Sequence, residues 1–419
     1  MFAELFRKEI KQTGKSLVFL ILLVALLLFF NTQLGEFTLF TEPKEGQEES
    51  YGTKRSTDKQ QIMSVTLALL AREYEENSYI SYPIGFYKKS ALKENEQQEI
   101  HEILEECTGL TNGYGEAVEQ EEPDNAQVEN GLTVNLEGRA NQPSLKPAEN
   151  LTYDRFLRLM KKADEIIGGG TNYAPEQVKG NVTVPATYED ALKIYEDSLY
   201  ADKISRGKAR LFCDYMGIIL GIIPVFLAVA RGLSDRRANM SELIYARKVP
   251  SWNVVATRFF SALIAVLVPV FLLSLMPTLQ CIYYGHNLGV SVDVLAYVKH
   301  ILGWLLPETA FVLALGFFLT ELTGGPLAVL VQGLIWFVSI FLNTTSLVGS
   351  VGWNLIPRFN NDQCTEVWIN VFPQMVWNRL LYGGLAVLLL IGTVGIFGLK
   401  RKGVLNIGRK KHNYRKDVS

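Results

Sequence analysis

The chain has little of the side-chain chemistry that most enzymes need: its 419 residues include only four histidines and four cysteines. No H-E-x-x-H, G-x-S-x-G or C-x-x-C pattern occurs, and the segment HEILE at His101 lacks the second histidine of a zinc motif. His286, His300 and His412 have no ligand-spaced partners either. The sequence therefore predicts no catalytic residue and no metal site.

A nucleotide-binding loop is also absent, because no G-x-x-x-x-G-K-[ST] pattern occurs anywhere in the chain. The glycine run GGGTNY, Gly168 to Tyr173, has no Lys-Ser/Thr pair after it. Such a run is typical of a helix stop, since glycine tolerates a positive φ. We expect the chain itself to hydrolyse no ATP, to bind no cofactor and to have no nucleic-acid partner.

What the chain has instead is a set of apolar runs long enough to cross a membrane. The first, Leu17 to Leu34, is free of charge and about 18 residues long, close to the ~20 that cross a hydrocarbon core. A signal peptide is the alternative, but the basic segment before it is long and no small-x-small cleavage site follows Phe30. Five more candidate spans cover residues 211–230, 258–283, 298–320, 326–343 and 378–399. We predict a mainly α, polytopic membrane protein with six transmembrane helices.

Lysine and arginine are concentrated in residues 1–16, in the loop 231–257 and in the tail 400–419. Because positive charge is retained on the cytoplasmic side, all three segments are predicted to be cytoplasmic. Both termini then lie on the cytoplasmic side of the plasma membrane. Residues 35–210 then form one external domain, and their about 32 acidic against about 20 basic residues support that side. Residues 1–16 have the amphipathic pattern of a helix that lies in the membrane interface.

Helical periodicity dominates the predicted external domain. Three segments carry apolar residues at helical spacing: Ile62, Val65, Leu69 and Leu70; Ile100, Ile103 and Leu104; and Phe156, Leu157, Met160, Ala163 and Ile167. Residues 131–138, GLTVNLEG, alternate weakly and predict a short strand. We therefore expect a mostly helical extracellular domain between the first and second spans.

The cysteines fall on the outer side of the predicted topology. Cys107, Cys281 and Cys364 lie in external segments, and Cys213 lies at the outer end of the second span. A Cys281–Cys364 disulfide and unpaired packing cysteines both fit these positions. No redox role follows from them.

Charged and small residues inside the predicted spans mark candidate sites. A charge at the bilayer centre costs about 2.5–3.5 kcal/mol on insertion scales, so Glu308, which follows Pro307, and Asp214 are candidates for a substrate pathway. A contact of Glu308 with a cationic substrate and a position in an outer vestibule both fit the sequence. Asp214 lies near the outer end of its span and is expected to be solvated. Gly217 and Gly221 have the small-xxx-small spacing that lets helices approach closely, either in a dimer or within one bundle.

The loop between the second and third predicted spans contains a short amphipathic segment. Met240, Leu243 and Ile244 fall at i, i+3 and i+4, and Pro250 is predicted to end the helix. A helix that presents apolar and charged side chains to the cytosol is suited to dock in a groove of another protein. An ordinary basic loop at the membrane surface fits the same pattern.

The order of segments and the loop sequence DRRANMSELIYARKVPSW resemble the permease subunits of ABC exporters of the second ABC-type superfamily, the type V exporter fold. Asn239 and Met240 stand where that family usually has Gly-Thr. The residues that follow the family's order are Arg236, Arg237, Glu242, Leu243, Ile244, Pro250 and Ser251. The resemblance implies that this loop is a coupling helix, that residues 344–377 form an extracellular loop with short re-entrant helices, and that ATP and Mg are bound by a separate cytosolic ATPase subunit.

The sequence thus predicts a permease that pairs with itself or with a sister subunit and moves a peptide, an antibiotic or a cation out of a bacterial cell. A membrane-anchored sensor or scaffold with a ligand-binding external domain is the alternative, although a receptor rarely needs six spans and a docking loop. An ATP-independent secondary transporter would show paired broken helices in both halves. Pro307 is the one such break in the sequence.

Overall fold

The computed structural model of the chain describes residues 2–47, 50–82, 88–118, 143–180, 182–341 and 348–405. The protein is mainly helical, as predicted. It divides into two compact units, which we call the membrane unit, residues 1–40 and 196–419, and the inserted unit, residues 41–195. The inserted unit lies within the predicted external domain. The strand predicted at residues 131–138 and the tail from residue 406 onward lie outside the described residues.

The chain begins with two helices of different character. α1, Phe2–Gly14, is amphipathic, whereas α2, Leu17–Leu34, contains no charged residue. Ser16 separates them, and its Oγ accepts a hydrogen bond from the N–H of Phe19 at 3.2 Å, which satisfies one of the unpaired donors at the start of α2. The helix predicted in residues 1–16 is therefore present, and it turns directly into the first apolar helix.

The inserted unit is built around three helices: α3, Lys59–Glu75; α4, Glu94–Thr108; and α5, Tyr153–Ile167. Two short helices follow, α6, Pro175–Val178, and α7, Tyr188–Glu196, which ends at the unit's boundary. The strands form two antiparallel pairs, β1, Thr53–Arg55, with β4, Thr183–Pro185, and β2, Tyr79–Ser81, with β3, Lys88–Ser90. The three helices predicted for this segment are present.

The apolar faces predicted for α3, α4 and α5 form one hydrophobic core. Of the twelve predicted residues, Val65, Leu69 and Leu157 are half-buried at its edge and the other nine are buried. Gly168 ends α5 with φ 115°, and its N–H bonds to the carbonyl of Asp164 at 3.1 Å. The glycine run is therefore the helix stop that its sequence indicates.

One carboxyl group is buried within this core. Glu73 of α3 accepts a hydrogen bond from the Tyr173 hydroxyl at 2.7 Å and a long one from the N–H of Ile80 at 3.4 Å. Burial removes water from the carboxylate and is the largest effect, raising the pKa of Glu73 from 4.5 to about 7 in spite of these hydrogen bonds. The folded protein therefore holds this proton at a pH at which the unfolded chain has released it.

Glu73→Gln is expected to stabilise α3 above pH 7. A carboxyl group whose pKa is raised on folding lowers stability as the pH rises from about 4.5 to about 7. The loss reaches about 3 kcal/mol at 1.36 kcal/mol per pKa unit. Gln keeps an acceptor for Tyr173 but does not ionise. Amide hydrogen exchange of residues 59–75 in the full-length chain should show slower exchange in the variant at pH 8 and equal exchange near pH 4.5. Equal exchange at both values would contradict the prediction.

The membrane unit resumes with a π-helical turn, Asp197–Ala201. A bent helix pair follows, α8, Ser205–Leu220, and α9, Ile223–Gly232, whose axes differ by 44°. Two short helices follow, α10, Ser234–Arg237, and α11, Ser241–Ala246. The remaining helices are α12, Ser251–Leu288; α13, Ala296–His300; α14, Leu306–Thr323; α15, Leu327–Phe341; and α16, Thr365–Arg401. A π-helical turn, Ile301–Leu305, joins α13 to α14. Strands β5, Val348–Ser350, and β6, Arg358–Phe359, form an antiparallel hairpin before α16.

Within the described residues, four helices are long and apolar enough to cross a membrane: α2, α12, the stretch from α13 to α14, and α16. The bent pair α8 and α9 makes a fifth if it counts as one span. α15 has only 15 residues and is shorter than an ordinary span. The protein therefore has the helices of a membrane protein.

Several helix boundaries differ from the predicted spans: α8 begins at Ser205 and not at residue 211, and α12 covers Ser251–Leu288 and not 258–283. The last apolar helix begins at Thr365 and not near residue 378, because Pro373 lies within the helix and does not end it. Short re-entrant helices were predicted for residues 344–377. The described part of that segment instead contains the β5–β6 hairpin and the start of α16.

Lys208 of α8 anchors the segment that follows α2. Its ammonium group donates hydrogen bonds to the carbonyl of Thr38 at 2.7 Å and to the carboxylate of Asp362 at 2.5 Å. The rings of Phe37 and Phe40 lie 5.1 Å and 4.5 Å from the same nitrogen, within cation–π range. The chain is thus fixed to α8 just before it leaves the membrane unit at residue 40.

Candidate functional site

The bend between α8 and α9 leaves backbone carbonyl groups without helical partners. The N–H of Ile222 bonds to the carbonyl of Ile219, and the N–H of Val225 to that of Ile222, so the i+4 bonds to Ile218 and Gly221 are not made. Side chains of α15 replace them. Gln332 donates to the carbonyl of Gly221 at 2.5 Å, and Trp336 donates to that of Ile218 at 2.8 Å. Since a free carbonyl in an apolar interior is costly, α15 stabilises the bend.

The loop predicted to dock a partner contains α10 and α11. Met240 lies at the N-cap of α11 with 47% of its surface exposed, and Leu243 within the helix is 62% exposed. Ile244 is half-buried, and the Glu242 and Arg237 residues are exposed. The structure therefore brings the predicted apolar residues together on one short helix.

The prediction that Pro250 ends this helix is wrong. α11 already ends at Ala246, and Pro250 is the N-cap residue of α12. A proline cannot continue a helix, but it is tolerated where the next one starts, because the N–H it lacks has no intrahelical partner there. Pro250 therefore sets the start of α12.

Ion pairs fix the base of this loop to α1. Arg231, at the end of α9, donates hydrogen bonds to the carboxylate of Glu9 and to the amide oxygen of Gln12, the latter at 3.0 Å. Arg258 of α12 pairs with Asp235 of α10 and lies 3.6 Å from Glu9. Both arginines are largely buried. Ion pairs to Glu9 therefore join the N-terminal helix to α9, where the loop begins, and to α12.

Arginine side chains also connect the loop to α14 and α16. Arg236 donates to the carbonyl of Gly324, which follows α14. Arg401, in the last turn of α16, donates to the carbonyl groups of Tyr245 and Val249 at 2.9 Å and 2.5 Å and to that of Arg247. The sequence marked Arg401 only as part of a basic tail, and nothing in its spacing indicates these carbonyl partners.

Glu308, in the first turn of α14, and Arg379 of α16 form a buried ion pair. The carboxylate of Glu308 accepts from the Arg379 guanidinium at 3.1 Å, and both side chains are almost fully buried. Arg379 also donates to the carbonyl groups of Trp304 at 3.2 Å and Leu355 at 2.8 Å and to Asn378. One carboxylate oxygen of Glu308 has no hydrogen-bond partner among the described residues.

Asp214 is not solvated, contrary to the prediction. Its side chain is 0% exposed and makes two parallel hydrogen bonds of 3.0 Å with Arg358 of β6. The N–H of Phe359 donates to the same carboxylate at 2.6 Å. Three donors therefore compensate for the lost hydration, and Asp214 connects α8 to the β5–β6 hairpin. The pair was missed because Arg358 lies in a polar stretch between apolar helices.

The two glycines of the small-xxx-small pattern pack within the chain. A Cβ atom added at Gly217 would lie 3.4 Å from the Glu308 carboxylate, and one at Gly221 would lie 2.6 Å from the end of the Ile356 side chain. Of the two contacts left open by the sequence, the structure shows the one inside the bundle. Pro307 lies at the first turn of α14, immediately before Glu308.

The described residues contain neither a disulfide nor a metal cluster. Cys107, Cys213 and Cys281 are free and buried, and Cys364 is free and half-buried, so the Cys281–Cys364 bridge is not formed. No group of three or more His, Cys, Asp or Glu side chains in the described ranges is placed to hold a metal ion. No family of proteins, no curated protein and no solved structure matches the chain in sequence or fold.

Proposed function

We propose that the protein is the permease subunit of an ATP-driven ABC exporter, with six spans, both termini in the cytoplasm and the inserted unit outside the cell. α11 receives a cytosolic ATPase subunit that binds ATP and Mg, and the permease pairs with itself or with a sister subunit. The cargo is a peptide, an antibiotic or a cation. The observation that carries the proposal is α11 itself, a short helix with exposed Met240 and Leu243, held at its base by buried ion pairs.

The charges at this end of the membrane unit support the cytoplasmic assignment. α1 carries Arg7, Lys8 and Lys11, and α16 ends in Lys400 and Arg401. Helix ends near α11 therefore share an excess of positive charge, which is typical of cytoplasmic segments. The contact of Arg401 with Tyr245 brings the end of α16 next to α11, and the contact of Arg236 with Gly324 brings the end of α14 next to α10.

Movement of α11 would reach the spans through these contacts. Closure of the ATPase subunits on ATP pushes α11, and the ion pairs of Arg231 and Arg258 transmit the displacement to α1, α9 and α12. Inverting the populations of inward- and outward-facing states requires the ATPase to bind the two states with affinities that differ by about 5.5 kcal/mol. A rigidly held docking helix prevents that difference from being lost in local flexing.

Leu243→Asp is expected to remove the ATPase partner. A charged side chain in place of an exposed apolar anchor should weaken docking at least about thirtyfold, the cost of a binding hot spot of about 2 kcal/mol. Copurification of a Walker-motif protein with the tagged full-length chain, followed by ATP-driven transport in proteoliposomes, measures the effect.

Glu242→Ala should lower coupled transport without loss of membrane insertion.

Val404→Asp is the matched control, because Val404 is 68% exposed and follows α16 near the same end of the unit. It should leave copurification unchanged. Normal copurification and transport with Leu243→Asp would remove α11 from the docking site. If the wild-type protein brings down a kinase or no partner at all, the exporter proposal fails and a sensor or scaffold is favoured.

A further inference from the structure

The last turn of α16 holds the segment between α11 and α12. Arg401 directs three of its N–H groups at this segment: Nε donates to the carbonyl of Tyr245 at 2.9 Å, Nη1 to that of Val249 at 2.5 Å, and Nη2 to that of Arg247. α11 ends at Ala246, so the carbonyl groups at its end lack intrahelical partners. One guanidinium group therefore caps α11 and fixes the chain as far as the start of α12.

An aromatic contact reinforces this cap. The ring of Phe397, one turn before Arg401, packs edge-on against the ring of Tyr245 with centroids 5.4 Å apart, and Phe397 is buried. The neighbouring Lys400 pairs with Glu321 at the end of α14 at 3.0 Å. α11 is therefore attached to α16 by both apolar and polar contacts.

We propose that Arg401 is a positioning residue that makes α11 and α16 move as one body. Arg379 lies on the same helix, about 33 Å away at 1.5 Å per residue, and no proline interrupts the helix between the two. A displacement of α11 is thereby carried along α16 to the buried Glu308–Arg379 pair. The attachment itself does not depend on any partner, whereas its use in transport rests on the proposed function.

The attachment is tested by the distance between spin labels at positions 243 and 388, both exposed leucines, in the full-length chain in nanodiscs. Cys364 is replaced with Ser in all proteins, because it is the one cysteine of the four that is not fully buried. Arg401→Gln should at least double the width of the distance distribution. Arg401→Lys should give an intermediate width, because an ammonium group cannot match the fork geometry of a guanidinium group.

Lys402→Gln is the matched control, since Lys402 is the exposed neighbour of Arg401 and should leave the width unchanged. A wild-type width in Arg401→Gln overturns the proposal. So does an equal broadening in Lys402→Gln, because the effect would then follow the charge of the helix end and not the carbonyl contacts of Arg401.

A second experiment tests the use of the attachment in transport. In the Arg401→Gln variant, Cys residues placed at Tyr245 and Phe397 are joined by a short cross-linker that dithiothreitol cleaves. With the copurified ATPase present, the cross-link should restore the transport rate lost in Arg401→Gln without changing the KM for cargo. Cleavage of the cross-link should lower the transport rate again. A cross-link that leaves transport low refutes the link to α16. If α11 proves not to dock the ATPase, the spin-label result still decides whether the attachment exists.

Discussion

Replacing Arg379 with Met is expected to destabilise the membrane unit by about 3–5 kcal/mol, the usual cost of removing one partner of a buried ion pair. Glu308 is fully buried and its other oxygen already has no partner among the described residues, so no neighbour can take over the charge. The carbonyl groups of Trp304 and Leu355 lose their donor as well. Unfolding in detergent, followed by tryptophan fluorescence, measures the change, because Trp304 stacks on Trp368 beside this pair.

The control for this prediction removes both charges. Glu308→Leu combined with Arg379→Met should recover most of the loss, since replacing a buried pair by apolar residues is often neutral or stabilising. Arg379→Lys should lie between the wild type and Arg379→Met, because one ammonium group cannot reach all four acceptors of the guanidinium group. A single Arg379→Met variant as stable as the wild type would show that Glu308 carries no charge that needs this partner.

Gly207→Ala is expected to disrupt the contact between α8 and the segment before α16. A Cβ atom at position 207 would lie 2.0 Å from the backbone carbonyl oxygen of Asp362. A backbone atom cannot rotate away, so the cost should exceed about 3 kcal/mol, the upper end of ordinary overpacking. The Lys208–Asp362 pair next to it would separate at the same time. Thermal unfolding and the yield of monodisperse protein in detergent report the loss.

Gly217→Ala is the matched control on the same helix. Its added Cβ would meet the Glu308 carboxylate at 3.4 Å, an ordinary contact distance, and should therefore cost little. The comparison reverses the ranking that the sequence suggests, because Gly217 and not Gly207 belongs to the small-xxx-small pattern. Equal stability of the two variants would show that the Asp362 segment yields without strain.

Hydropathy and periodicity were sufficient for most of the helices. The apolar runs located α2, α12, α14, α15 and α16, and the i, i+3, i+4 pattern located α11 and the core faces of the inserted unit. These features are local, so a window of sequence contains the information that determines them. The bend at Gly221 was not predicted, because its carbonyl groups are satisfied by α15, more than one hundred residues away in sequence.

The partners of the buried charges could not be predicted for the same reason. Asp214 and Arg358 are 144 residues apart, and Glu308 and Arg379 are 71 residues apart. A single sequence shows that Asp214 and Glu308 are charges among apolar residues, but only the fold shows which cation compensates each one. Pro250 illustrates a local ambiguity, because one proline is compatible with the end of one helix and with the beginning of the next.

The contact of Lys208 with Thr38 bears on how far the membrane unit depends on the inserted unit. The polypeptide leaves the membrane unit after residue 40 and re-enters it at residue 196. Lys208 of α8 bonds to Thr38, in the segment just before the chain leaves. Lys208, Phe37 and Phe40 all belong to the membrane unit, so these contacts need no residue of the inserted unit. Removing the inserted unit would therefore take away none of the side chains that make these contacts.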